Sequence, residues 1–172
     1  MPAGQEQYDG LQSMPAKARL KAIVEALGTQ FEERPQFLDL ETGEVVDVSV
    51  DLLHEAEAQE SDDEGEPDLP EWQKEEWQLA RQIIGGAGDR FLKLPDTFEV
   101  HEGALMEDFS HSVESIPIRE DLLHAIHGRG AFRMFKDTLR RYGIESAWFA
   151  FREEALRQIA IRWCQEHHVV WE

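Results

Sequence analysis

Cysteine is nearly absent. Cys164 is the only one in 172 residues, so no disulfide can close within the chain and no cysteine pair can hold a zinc ion. That usage suits a reducing compartment. No apolar run approaches the roughly 20 residues of a membrane span. Met1 to Gly10 contains no apolar stretch of a leader, so no secretory signal is expected. A cytoplasmic protein without a membrane partner is the reading. Positive charge is also scarce: 17 Lys and Arg face 36 Asp and Glu, a formal net charge of -19. Such a surface repels nucleic acid and anionic membrane at long range, so binding to phosphate must be local and salt-sensitive. Two catalytic signatures are missing as well, the His-Glu-x-x-His of metalloproteases and the Gly-x-Ser-x-Gly elbow of hydrolases.

What is present supports a folded chain. Hydrophobic residues make up 41%, with five tryptophans and nine phenylalanines, whereas disordered chains are poor in aromatics. The length suits one domain. Residues 1–15 read as a disordered tail and 16–172 as a single domain. Ser13 and Pro15 can start a helix in which Leu20, Ile23, Val24 and Leu27 share one side, and Gly28 can end it. Lys17, Arg19 and Lys21 are then left to solvent. Gln36–Leu40 and Glu44–Val50 are β-rich, and Glu41-Thr42-Gly43 between them predicts a hairpin, whose partial alternation suggests one buried face and one wet face.

Between Arg34 and Lys74 there is no Lys or Arg, against 14 acids. Asp51 to about Gln59 reads as a helix, followed by an acidic loop over 60–69. That loop is either a solvated linker or a tethered polyanion able to visit a basic surface. Pro70 suits the first turn of a helix carrying Trp77, Ala80 and Ile84 on one side. Gly85-Gly86-Ala87-Gly88 follows a helix and precedes the strand Arg90–Pro95. A phosphate loop has the reverse order, so these glycines read as a turn. Glu102–Ser112 reads as a helix with Leu105, Met106 and Phe109 inward. Pro117 opens another that stops at Gly128. The last helix carries Trp148, Phe151 or Arg152, Ala155, Ile159 and Trp163, and Val169–Trp171 is read as a terminal strand.

The organising stretch is His127 to Gly143. At 100° per residue, Phe135, Leu139 and Tyr142 fall within roughly 80° of Phe132, a core-facing stripe. Arg133, Lys136 and Arg140 share another side within roughly 60°, together with Arg129 if its backbone continues the helix. Four cations so placed repel each other unless an anion neutralises them, and arginine forks suit phosphate or carboxylate. The alternative is pairing with the protein's own acids. The outline of helix, glycine turn and basic helix also matches a helix-turn-helix, a generic arrangement.

Two other constellations compete. Glu107 and His111 are four apart, with Asp108 beside them, and His124 and His127 are three apart; such spacings can share a metal. Histidines at a helix C-terminus are equally accounted for by its dipole. Cys164 beside Trp163 reads as a buried, inert thiol.

Met106–Phe109, Leu123–Leu139, Trp148–Arg152 and Ala160–Cys164 together resemble a bacterial set, uncharacterised protein family one-five-eight. The Gly-Arg-Gly-Ala-Phe-Arg-x-Phe-Lys-Asp run from Gly128 is the specific part. The hairpin Phe37–Val48 and the strand Phe91–Pro95 are also similar, so the resemblance spans roughly residues 36–171. It implies one folded domain and brings no reaction or cofactor with it.

The expected fold is therefore α+β, a small antiparallel sheet packed with a mainly helical C-terminal half. The expected function is non-enzymatic binding or regulation, with no cofactor. Arg129, Arg133, Lys136 and Arg140 would meet an anionic partner, either nucleic acid or an acidic protein surface. The rivals are a hydrolase or metal-dependent enzyme around Glu107, Asp108, His111, His124 and His127, and a structural homo-oligomer pairing basic stripe with acidic loop.

Overall fold

In a computed structural model of the chain, residues 16–61, 68–85 and 89–172 are described. The expected tail 1–15 and the core of the acidic loop, 62–67, lie outside them, as do residues 86–88 of the glycine turn. The fold is α+β, as expected. Strands β1 (Gln36–Asp39), β2 (Val45–Asp47) and β3 (Phe91–Lys93) form an antiparallel sheet in the order β2-β1-β3. The register places Phe37 opposite Val46 and Lys93, and Leu38 opposite Val45 and Leu92.

Because successive strand side chains alternate between faces, this short sheet divides two cores. Leu38 faces the larger one, with Val45 and Leu92 packed against it. Phe37 and Phe91 face the smaller one, against Val46. That second core is closed by helices α2 (Val50–Ser61) and α3 (Glu71–Ile84) through Leu52, Leu53, Ala56, Trp77 and Ala80. Ile84 is only half-buried.

The larger core is built by α1 (Leu20–Gly28), α5 (Glu102–Ser112), α6 (Ile116–Ala125), α7 (Ala131–Tyr142) and α8 (Glu145–Glu166). Its centre is aromatic. Phe135 of α7 meets Trp148 edge-on at 5.0 Å, and Trp148 meets Phe109 at 5.4 Å. Phe109 also meets Phe151 at 5.4 Å. Edge-to-face pairs add about 0.5–1.5 kcal/mol each beyond burial, so α5, α7 and α8 are locked at one point. Among the described residues no helix is long and apolar enough to cross a membrane.

The sequence expectations need correction in five places. The hairpin does not keep a wet face along β1, because α2 and α3 cover the side that carries Phe37. The first helix begins at Leu20, because Ala16 and Ala18 spend their N–H groups on Leu40 O and Val170 O. The C-terminal segment does not form a full strand: Trp171 makes an isolated parallel bridge with Ala18. A four-residue helix, α4 (Thr97–Val100), was not foreseen. Phe132 is 49% exposed while Phe135 is 0%, so Phe132 does not anchor α7.

The hairpin turn has a steric constraint. Gly43 has φ +73°, and a Cβ there would lie 2.4 Å from Lys17 O. Only glycine fits both the left-handed backbone and the passing chain.

Candidate anion-binding site

α7 is set by its two ends. Gly128 and Gly130 have φ of +89° and +74°, so Arg129 sits in a turn and the helix starts afresh at Ala131. Arg129 is therefore not a helical member of the basic stripe, contrary to the conditional expectation. At the other end Gly143 stops the helix, its N–H donating to Arg140 O at 3.1 Å. The C-terminal turn is pinned to α6, where Asp121 accepts from Tyr142 Oη at 2.5 Å and from Arg141 Nη1 at 3.3 Å. The Asp121 contact holds the Tyr142 hydroxyl protonated and raises its pKa.

The inward face of α7 is Phe135, Thr138 and Leu139, all buried. Thr138 is tolerated there because its hydroxyl donates to Met134 O at 2.9 Å, which leaves no unpaired donor. Its burial rotates the core-facing arc away from Phe132. Phe132 is then an edge residue, and Lys136 Nζ lies over its ring at 4.4 Å from the centroid. Pairing of this kind at an exposed site contributes about 0.5–1 kcal/mol.

The four cations are not equivalent. Arg140 is engaged by Asp137 at 3.3 Å and by Glu145 at 3.2 Å. Arg133 reaches Asp137 only at 4.0 Å, and its side chain is 90% exposed. Arg129 is exposed and forms no ion pair among the described residues. Asp137 thus neutralises the C-terminal half of the stripe. The N-terminal half is left as Arg129, Arg133 and Lys136 around a half-exposed ring, with Met134 also 45% exposed. Sequence spacing already held part of this, since Asp137 is i+4 from Arg133 and i−3 from Arg140. Glu145 belongs to the next helix, and no local pattern points to it.

The rival constellation is spread over the surface. His111 Nε2 and Glu107 Oε1 are 3.9 Å apart on α5. Asp108, His124 and His127 are all exposed. Among the described residues no three His, Cys, Asp or Glu side chains are grouped to hold a metal ion. Two cavities, of about 250 and about 410 Å³, are lined by none of the five. Cys164 is buried, and burial pushes its thiol up to about 11, so a thiolate is not available near neutral pH.

The chain matches no curated protein and no solved structure. One family model does match, over residues 13–171. The match extends upstream of the stretch from residue 36 that carried the resemblance, and so takes in α1. With nearly its whole length matched, the chain belongs to the uncharacterised protein family UPF0158.

Proposed function

We propose that this is a cytosolic binding or regulatory protein, not an enzyme, and that α7 meets an anionic partner with the face formed by Arg129, Arg133 and Lys136. The observation that carries this reading is the asymmetry along the helix. Arg140 is held by two carboxylates, whereas Arg129 and Arg133 project into solvent beside Phe132. In a protein of net charge -19, Arg81, Arg157 and Arg162 are also exposed, but among the described residues only α7 sets such cations beside an exposed aromatic ring that a cation already covers.

The chemistry of the face fits a short contact. Two or three guanidinium or ammonium groups neutralise two or three phosphates or carboxylates, and the free side of the Phe132 ring offers a stacking surface. A long duplex would bring further phosphates against Asp137, Glu145 and Asp121. A single-stranded or otherwise local anion avoids that repulsion.

The test is a fluorescence-anisotropy titration against a labelled single-stranded oligonucleotide and against a labelled polyglutamate of similar length, at several salt concentrations. Binding of the oligonucleotide with a log–log salt slope near two to three phosphates, each contributing about -0.7, supports nucleic acid. Preference for polyglutamate supports an acidic protein surface. Absence of binding to both at low salt removes the proposal.

A further inference from the structure

A cleft lies away from α7, between the turn after α1 and the start of α4. This cleft has a volume of about 250 Å³ and none of its lining residues belongs to α7. Its rim carries two large rings in water: Phe31 is 67% exposed and Phe98 is 90% exposed. Pro35 and Pro95 form part of its wall. The volume is below the roughly 300–1,000 Å³ of small-molecule pockets, so it suits one side chain of a partner better than a cofactor.

The polar groups of the cleft are unbalanced. Most donors are already committed. Gln30 Nε2 donates to Pro95 O. The Arg34 guanidinium is held by Asp47 at 2.5 Å and Glu76 at 3.0 Å. Lys93 pairs with Asp96 at 3.5 Å. The N–H groups of Asp96 and Phe98 are used in the cap of α4, and prolines carry no N–H. Acceptors remain. Gln36 stands between this cleft and the cavity beside Arg19 and Asp47, lining both, and its Oε1 is buried without a hydrogen-bond partner. Glu32 lines it too and forms no ion pair among the described residues.

Open π-faces, an orphan carbonyl oxygen and an unpaired carboxylate together call for a planar, donor-rich cation. We infer that the Phe31–Phe98 cleft receives an arginine side chain of a basic partner polypeptide. The guanidinium stacks on the exposed rings, donates to Gln36 Oε1 and pairs with Glu32. The net charge of -19 favours approach of such a partner at low salt. This site is independent of the α7 reading, because it takes a cation where α7 takes an anion.

The experiment is a two-dimensional amide NMR titration of the full chain with the peptide acetyl-Gly-Arg-Gly-Arg-Gly amide. The control peptide replaces each arginine by citrulline, which is uncharged and nearly isosteric. The expected result is saturable shifts for the amides of the cleft with the arginine peptide, weakening as salt is raised, and no shifts with citrulline. F31A and F98A should each weaken binding about 2- to 5-fold, the equivalent of about 0.5–1 kcal/mol per ring, without changing the melting temperature, since both rings are largely solvated. F98L, which keeps apolar bulk but no π-face, should weaken binding as F98A does. Equal shifts with citrulline, binding unchanged in the F31A/F98A double variant, or no shifts with either peptide overturns the inference. So does adenosine moving the same amides in place of the arginine peptide, which would mark a nucleobase site. Self-association of the chain abolished by the double variant would assign the cleft to a second copy and overturn it equally.

Discussion

Arg90 grips Asp39 with both ends of its fork, Nε to Oδ1 at 2.9 Å and Nη2 to Oδ2 at 2.7 Å. Asp39 is 5% exposed at the end of the central strand, and it also accepts from Glu41 N at 2.9 Å. The pair closes the hairpin loop onto the start of β3. The Arg90 hydrogen bonds are the leading reason that the Asp39 carboxyl titrates below its usual range.

A depressed folded-state pKa means that the carboxylate stabilises the fold fully above the unfolded value, about 3.9, and loses that contribution as pH falls toward the folded one. Asp39→Asn should therefore melt at a lower temperature than wild type at pH 7. The gap should narrow as pH falls below about 4, where the unfolded chain takes up a proton that the folded carboxylate still resists. Thermal melts across pH 2.5–7 check this, and a gap that widens on acidification would contradict the sign.

The core role of α7 rests on Phe135, not on Phe132. Phe135→Ala should cost about 3–5 kcal/mol, since a fully buried ring is removed from the aromatic centre. Phe132→Ala should cost no more than about 1 kcal/mol, the worth of its contact with Lys136. Urea denaturation of the two variants gives the comparison, and similar losses would place Phe132 in the core after all.

Glycine positions separate strain from collision. Gly43→Ala meets both a left-handed backbone and Lys17 O, whereas Gly130, at φ +74°, has nothing within 4 Å of a built Cβ. Gly130→Ala should cost about 1–2 kcal/mol from backbone conformation alone. Gly43→Ala should cost more, because the chain before α1 must move as well. The ranking is read from denaturant midpoints.

Cys164 reports on opening of the core. Its thiol is buried and held up at about 11, so an aromatic disulfide reagent at pH 7.5 should label it only as fast as the protein unfolds. Labelling as rapid as that of a free thiol in native buffer would show α8 to be loosely packed.

How far this fold can be read from sequence depends on how local its causes are. The hairpin was legible because Glu41-Thr42-Gly43 separates two β-rich runs. Its partial alternation predicts one wet face, whereas Phe37 and Leu38 are buried on opposite faces in two cores, the second closed by helices outside the hairpin. Phe135 and Leu139 were legible by helical spacing. Phe132 was misplaced because Thr138, polar by type, is buried through its bond to Met134 O and shifts the core-facing arc. The start of α1 was missed because distant residues, Leu40 and Val170, take its N–H groups. At the site, Arg133 and Lys136 fall on the helix as spaced, but the turn made by Gly128 and Gly130 takes Arg129 off it. Neither the engagement of Arg140 by Glu145 nor the Phe31–Phe98 cleft has a local signature, since each joins separate elements.

The most direct measurement compares two charge removals on α7. Arg133→Gln and Arg140→Gln each remove one positive charge from an exposed position on the same helix and differ in how closely that charge is held by carboxylates. Oligonucleotide and polyglutamate anisotropy titrations at low salt should show Arg133→Gln, alone or with Arg129→Gln, losing most of the binding to whichever polyanion the wild type prefers. Arg140→Gln should retain most of it. Equal losses from the two variants, a larger loss from Arg140→Gln, or no binding by the wild-type protein would contradict an anion site at the N-terminal half of α7.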